Sequence, residues 1–247
     1  MAAPPDVRSE RDAPTVPRRL ADAELARRIQ YTLFQVGAGR QDIERHCQEC
    51  VEYGFGAAMV PGRWVELAAR LLSGASTRVA SAVDFPLGLM SVHGRLAEAA
   101  ALVDAGADEL DLAVPVGLLV EGDDVGFREA IASVVRVIAP VPVKVMLELP
   151  LLAPAERDRA VDVAIEAGAA WLKNASGGSV GIATPEDISY LRGRAPANVK
   201  VKASGGISTY EQAVALVEAG ADAVGTSAGV SIVTRSEPLR SRDAIPY

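Results

Sequence analysis

The chain has 247 residues, about half of them apolar, with 22 glycines and few aromatics. That length can bury a sizeable core in one α/β domain or in two smaller ones. A net charge of −7 argues against a general nucleic-acid or anionic-membrane binder, though it leaves room for a local basic pocket. No apolar run approaches the roughly 18 residues of a membrane span. The N-terminal stretch lacks the apolar h-region of a secretory signal, so the expected location is the cytoplasm. The only cysteines and histidines are His46, Cys47, Cys50 and His93. They are too few and too badly spaced for a zinc set, so neither a metal nor a cofactor is expected, and the cysteines are expected to pack as small apolar residues of a helix.

Residues 1–20 carry Pro4, Pro5, Pro14 and Pro17 among scattered Arg and Asp. With no periodicity, this stretch reads as a disordered leader. A short helix over Asp22–Arg28 is expected to feed a strand around Ile29–Phe34. From there a diverged repeat appears: an acidic residue, a glycine two residues on, then a short apolar run. It begins at Glu52, Asp104, Glu166 and Glu218, at spacings of 52, 62 and 52 residues. The glycine suits a helix C′ position, which favours the left-handed conformation. Further Val-rich runs lie between (Arg78–Asp84, Pro142–Glu148, Asn198–Ala203), giving eight strands with the run near Ile29. Helical periodicity marks Trp64–Leu72, Val92–Ala105, Phe127–Ile138, Ala155–Ala167 and Tyr210–Ala219.

Eight such units predict an α/β fold, a single-domain (β/α)8 TIM barrel over residues 21–233. No Gly-x-Gly-x-x-Gly follows the first strand, so a dinucleotide-binding sheet has no support. The end of the chain, Ser231 to Tyr247 with two prolines and three arginines, reads as a flexible extension, and 234–247 is assigned as the tail.

A barrel of this kind works at the C-terminal ends of its strands. The polar residues expected there are Thr32, Asp84, Asp111, Lys144, Glu148, Lys173, Asn174, Lys200 and Lys202. Alternation puts Lys144 with Glu148, and Lys200 with Lys202, on shared faces. Lys173 and Lys202, on adjacent strands, are expected within several ångströms of each other. Such a pair fits two readings: a desolvated amine able to form a Schiff base, with Asp111 moving protons, or a neutralised structural ion-pair network. Gly205-Gly206 after strand 7 and Gly225-Thr-Ser-Ala-Gly229 after strand 8 fit either phosphate-binding loops or ordinary turns.

Six segments carry a family resemblance: Val83-Asp-Phe-Pro-Leu-Gly88, Gly106-Ala-Asp-Glu-Leu-Asp111, Val143-Lys-Val, Leu172-Lys-Asn-Ala-Ser-Gly177, Val201-Lys-Ala-Ser-Gly-Gly-Ile207 and Gly225-Thr-Ser227. Over roughly Ile29 to Val233 the chain resembles the deoxyribose-phosphate aldolases, class I aldolases on a (β/α)8 barrel. The resemblance implies that Lys173 is the Schiff-base lysine, Lys202 the lysine that keeps it deprotonated, and Asp111 the proton-relay residue. It implies a phosphate site at Gly177, Gly205, Gly206, Gly225 and Ser227. Thr32, Lys144, Glu148, Ser176 and Ser208 complete the residues expected to meet substrate. Tyr247 matches a C-terminal tyrosine that some members use in proton transfer.

The departures surround these positions. The family's Asp-His-Thr is Gln30-Tyr31-Thr32, two asparagines are Pro61 and Pro115, and Lys-Thr-Ser-Thr-Gly is Lys173-Asn-Ala-Ser-Gly. In the phosphate site an arginine becomes Ser208 and a serine becomes Ala228. Losing a guanidinium removes a charge-assisted contact of about 1.5–3 kcal/mol. The implied activity is a metal-independent lyase of carbohydrate metabolism that makes or breaks a C–C bond through an enamine on Lys173. Its partner would be a small carbonyl substrate, phosphorylated or not, altered from 2-deoxyribose 5-phosphate. Two alternatives are an imine enzyme serving a different condensation or rearrangement, and a non-catalytic binding protein on the same scaffold. Ala- and Val-rich helix exteriors leave room for a homodimer.

Overall fold

Parallel pairing between consecutive strands, closed by β8 onto β1, gives this chain its frame in a computed structural model that describes residues 23–236. The strands are β1 (Ile29–Thr32), β2 (Ala57–Met59), β3 (Arg78–Val83), β4 (Glu109–Ala113), β5 (Val143–Met146), β6 (Trp171–Lys173), β7 (Lys200–Ser204) and β8 (Ala223–Thr226). The helices are α1 (Ala23–Arg28), α2 (Arg40–Tyr53), α3 (Val65–Leu71), α4 (Val92–Asp104), α5 (Val116–Glu121), α6 (Asp124–Ile138), α7 (Pro154–Glu166), α8 (Pro185–Arg194), α9 (Tyr210–Glu218) and α10 (Gly229–Thr234). This is the expected (β/α)8 barrel. The four repeat glycines, Gly54, Gly106, Gly168 and Gly220, all take left-handed backbone with φ between 70° and 110°, as a helix C′ position asks. The leader at 1–20 and Tyr247 lie outside the described residues. Among the described residues no helix is long and apolar enough to cross a membrane.

Outward-facing residues of the strands, such as Leu110, Leu112, Val145 and Val201, pack under the helices with Phe127, Ile131 and Leu191. Full burial of such a side chain stabilises the fold by about 1.5–3 kcal/mol. His46, Cys47 and Cys50 join this layer from α2. The His46 ring stacks on Tyr31 with centroids 4.4 Å apart, and burial pushes its pKa down to about 4 and that of the Cys47 thiol up to about 11. These are packing residues with their charged forms suppressed.

The barrel interior is divided. Ala57, Met59, Ala80, Ala82, Ala113 and Met146 form one buried apolar cluster, with Phe34 and Phe85 packed against it. The inward positions of β4 to β7 instead carry Glu109, Asp111, Lys144, Lys173 and Lys202, all buried. Register sets these side by side: Asp111 is opposite Lys144, and Lys173 is opposite Lys202.

Four expectations are corrected. Lys200 opens β7 at the barrel's other end, exposed, with its ammonium 5.0 Å from the Trp171 ring centroid; alternation puts it on the Lys202 face but not near it. Gly225 lies inside β8 rather than in the loop after it. Glu148 lies two residues past β5, in left-handed backbone with φ 52°. Ser231 belongs to α10, where Ile232 and Val233 are buried, because this helix closes the barrel against β1 rather than trailing as an extension.

Candidate active site

Asp111 is the hub. Its Oδ2 accepts from Lys173 Nζ at 2.8 Å and from Lys202 Nζ at 2.6 Å. On its other side, Lys144 Nζ lies 3.1 Å from Asp111 Oδ1 and 3.1 Å from Glu109 Oε1. Glu109 in turn accepts from Gln30 Nε2 at 2.7 Å and sits 3.4 Å from Arg78 Nε, which reaches solvent. A continuous polar chain therefore runs from the lower rim to the two upper lysines.

Burying charge is costly unless each charge is paired. With every group ionised, Glu109, Asp111, Lys144, Lys173 and Lys202 would carry a net charge of +1, and one lost ammonium proton neutralises the set. Lys202 can supply it: burial brings its pKa down to about 7, with Asp111 opposing and the Lys173 and Lys144 charges adding to the fall. For Asp111 burial works against ionisation, yet the ammonium groups of Lys173, Lys202 and Lys144 hold its carboxyl well below the usual range.

Above this hub lies a cavity of about 50 Å³ lined by Thr32, Phe34, Met59, Phe85, Lys173, Ser176, Lys202 and Ser204. Of the residues singled out in the sequence, it gathers Thr32, Lys173, Ser176 and Lys202. Lys144 lies beneath, wholly buried. Glu148 stands behind the cavity, where both its oxygens accept from the Ser176 N–H at 3.0–3.1 Å. Burial raises its pKa, offset by that N–H and by Lys173. Gly177, Gly205, Gly206, Ser208, Gly225 and Ser227 are not among the lining residues.

The departures have structural places of their own. Gln30 does not face the cavity; it steadies Glu109, which holds Lys144, which holds Asp111. Asn174 is buried and turned across to β7, where its amide donates to Ser204 O at 3.0 Å and accepts from Ser204 N at 2.8 Å. That two-point contact extends the β6–β7 ladder one step past Lys173 and Lys202. Pro61 and Pro115 stand at the starts of a 3-10 turn and of α5. Asp84 is a brace: Arg95 grips one of its oxygens through Nε at 2.9 Å and Nη2 at 2.7 Å, fixing the turn that carries Phe85.

The lining residues that sequence reasoning missed are Phe34, Met59, Phe85 and Ser204. Three of these are apolar, so polarity at a strand end does not mark them. Strand alternation held the signal: Met59 and Ser204 end their strands on the inward face, and Phe34 continues the Gln30–Thr32 face. Among the described residues no group of three or more His, Cys, Asp or Glu side chains could hold a metal ion.

No family model matches the chain. Individual relatives do. A deoxyribose-phosphate aldolase of Brevibacillus brevis is 40% identical over 213 residues, covering 86% of this chain and 96% of that protein. One from Methanothermobacter thermautotrophicus is 42% identical over 212 residues, covering 85% and 94%. A solved deoxyribose phosphate aldolase from Aeropyrum pernix, described as tetrameric, is 31% identical and superposes with a TM-score of 0.80 over 87% of this chain and 92% of that one. At this identity across nearly the whole barrel, the chain belongs to the deoxyribose-phosphate aldolase family.

Proposed function

We propose that this chain is a class I aldolase in which Lys173 Nζ forms an imine with a small aldehyde or ketone. The observation that carries this reading is the single Asp111 oxygen shared by two buried ammonium groups at the floor of a cavity. An amine attacks a carbonyl only in its neutral form. Lys202 gives up a proton near pH 7, and transfer across Asp111 Oδ2 then leaves Lys173 neutral and Lys202 charged. Lys173 is assigned as the nucleophile of the pair because its segment, Leu172-Lys-Asn-Ala-Ser-Gly177, resembles the one that carries the family's Schiff-base lysine.

Attack gives a carbinolamine, whose hydroxyl leaves as water once protonated through the Asp111–Lys202 pair. The resulting iminium is the electron sink, so no metal is required in this scheme. Loss of a proton from the adjacent carbon yields an enamine, which adds to an acceptor aldehyde; the reverse sequence cleaves the bond. Thr32, Ser176 and Ser204, on the cavity wall, supply hydroxyls for the acceptor's oxygen. In this reading the enzyme works in carbohydrate metabolism in the cytoplasm.

Borohydride reduction in the presence of acetaldehyde tests the scheme. A reduced two-carbon adduct on the peptide containing Lys173, lost in Lys173→Met, is expected. No adduct with acetaldehyde, acetone or glycolaldehyde would sink it.

A further inference from the structure

We infer that Gln30 is a positioning residue of the imine-forming amine. As a neutral donor at the foot of the buried network, it leaves the three lysines one positive charge in excess, so that one of them can give up its proton. This inference rests on the reading of Lys173 as imine former and adds what sets the pH at which that amine is free.

The geometry of position 30 comes first. Gln30 is 1% exposed on β1, with Ala57 of β2 and Gly225 of β8 as its register partners. Its Nε2 donates to Glu109 Oε1 at 2.7 Å, and the same oxygen lies 3.1 Å from Lys144 Nζ. Only this donating end of the amide is used: Gln30 Oε1 meets no hydrogen-bond donor among the described residues. The position therefore asks for a donor to a buried carboxylate. A lysine or arginine would donate and add a charge, and a carboxyl group could donate only by keeping its proton. An amide donates and adds no charge.

The charge balance follows from this. The groups packed in the interior are Glu109 and Asp111 from β4, Lys144 from β5, Lys173 from β6 and Lys202 from β7, all buried. Ala57 and Gly225 bring no charge from the strands that flank Gln30. Arg78 of β3 reaches Glu109 Oε2 at 3.4 Å from the rim, where its half-exposed guanidinium is screened by water and salt. Glu148, past β5, lies at the far end of the set from Gln30 and accepts from the Ser176 N–H. Two carboxylates against three ammonium groups leave one positive charge without a partner, and an unpaired buried charge is relieved by losing its proton. Lys202, whose pKa falls to about 7, fits that imbalance. A further carboxylate at position 30 would supply the missing partner, and the ammonium groups would hold their protons to higher pH. The amide thus acts on Lys173 through Glu109, Lys144 and Asp111, without reaching the cavity.

Two substitutions of similar shape separate charge from hydrogen bonding. Gln30→Glu adds the charge, whereas Gln30→Met removes the donor and leaves the charge as it is. The rate of borohydride trapping with acetaldehyde, followed against pH, should move upward in Gln30→Glu by about one pH unit. That is the shift a unit charge roughly 10 Å away produces at an effective dielectric near 20. The new carboxyl shares a proton with Glu109 at low pH, and the charge it gains as pH rises is the one that retains the ammonium proton. In Gln30→Met the profile should stay with that of wild type, even where stability falls. An unchanged or downward profile in Gln30→Glu, or an equal upward shift in Gln30→Met, overturns the inference. If Gln30→Glu does not fold, Arg78→Gln takes a positive charge from the rim of the same chain. It should move the profile the same way by less, and no shift overturns the inference. A wild type that traps no aldehyde removes the imine reading alone. The pH at which the urea midpoint starts to rise then carries the test: a higher onset in Gln30→Glu than in Gln30→Met supports the inference, and equal onsets overturn it.

Discussion

Gly225 lies against the side chain of Lys202. A Cβ at Gly225 would stand 3.0 Å from Lys202 Cε and 3.2 Å from Ser204 Oγ. Both contacts are tighter than nine in ten that real Cβ atoms make, so a neighbour must give by a few tenths of an ångström, and a shift of Lys202 stretches its 2.6 Å bond to Asp111. The glycine is thus part of the lysine's socket. Gly225→Ala is expected to lower kcat far more than it lowers stability. A displacement of several tenths of an ångström in a proton-transfer group costs on the order of tenfold to a hundredfold in rate. Steady-state kinetics beside thermal melting checks this; unchanged kcat in a folded variant would refute the socket.

Asn174 should behave differently, as a strand staple. Asn174→Ala leaves the buried Ser204 N–H and C=O without the partners they now have at 2.8 and 3.0 Å. Each unsatisfied group costs about 1–3 kcal/mol, so a loss of about 2–6 kcal/mol is expected. Urea denaturation measures it, and a shift under about 0.5 kcal/mol, the scale of an ordinary surface change, would mean the contact contributes little.

These two residues show where the sequence was legible. Gly54, Gly106, Gly168 and Gly220 announced the barrel because a helix C′ position demands the same backbone wherever it occurs. Lys173, Lys202 and Asp111 could be placed together because adjacent parallel strands leave little freedom of register. The contacts of Asn174 and Gly225 are not legible in the sequence, since their partners are a backbone group on β7 and a side-chain methylene, which no local pattern reveals. The contact of Gln30 is hidden for the same reason: its partner, Glu109, is 79 positions along the chain. Phe34 and Phe85 went unseen because an apolar residue at a strand end resembles core until the cavity above it is known.

Lys144 couples the lower chain to the upper pair without lining the cavity. Its positive charge is one of the influences that push the Lys202 pKa down. In Lys144→Met the proton should therefore leave Lys202 at higher pH, and the alkaline rise in imine formation should move upward. Breaking one member out of a buried ion pair also costs about 3–5 kcal/mol, so Lys144→Met paired with Glu109→Gln is the better-folding comparison. The rate of acetaldehyde trapping against pH reads the shift; a downward or absent shift contradicts the coupling.

Lys202 itself gives stability a specific pH dependence. Its pKa falls from 10.5 to about 7 in the folded chain, so between about pH 7 and 10.5 the unfolded chain binds more protons than the folded one. Stability from this group must then rise with pH across that window. Its burial penalty is full below about pH 7, where the group is charged in both states, and gone above 10.5, where it is neutral in both. Wild type is therefore expected to gain stability relative to Lys202→Met between pH 7 and 9.5, measured as the difference in urea midpoints. Parallel pH profiles for the two proteins would show that Lys202 keeps its proton in the fold, and would remove the source of the neutral amine on which imine formation at Lys173 depends.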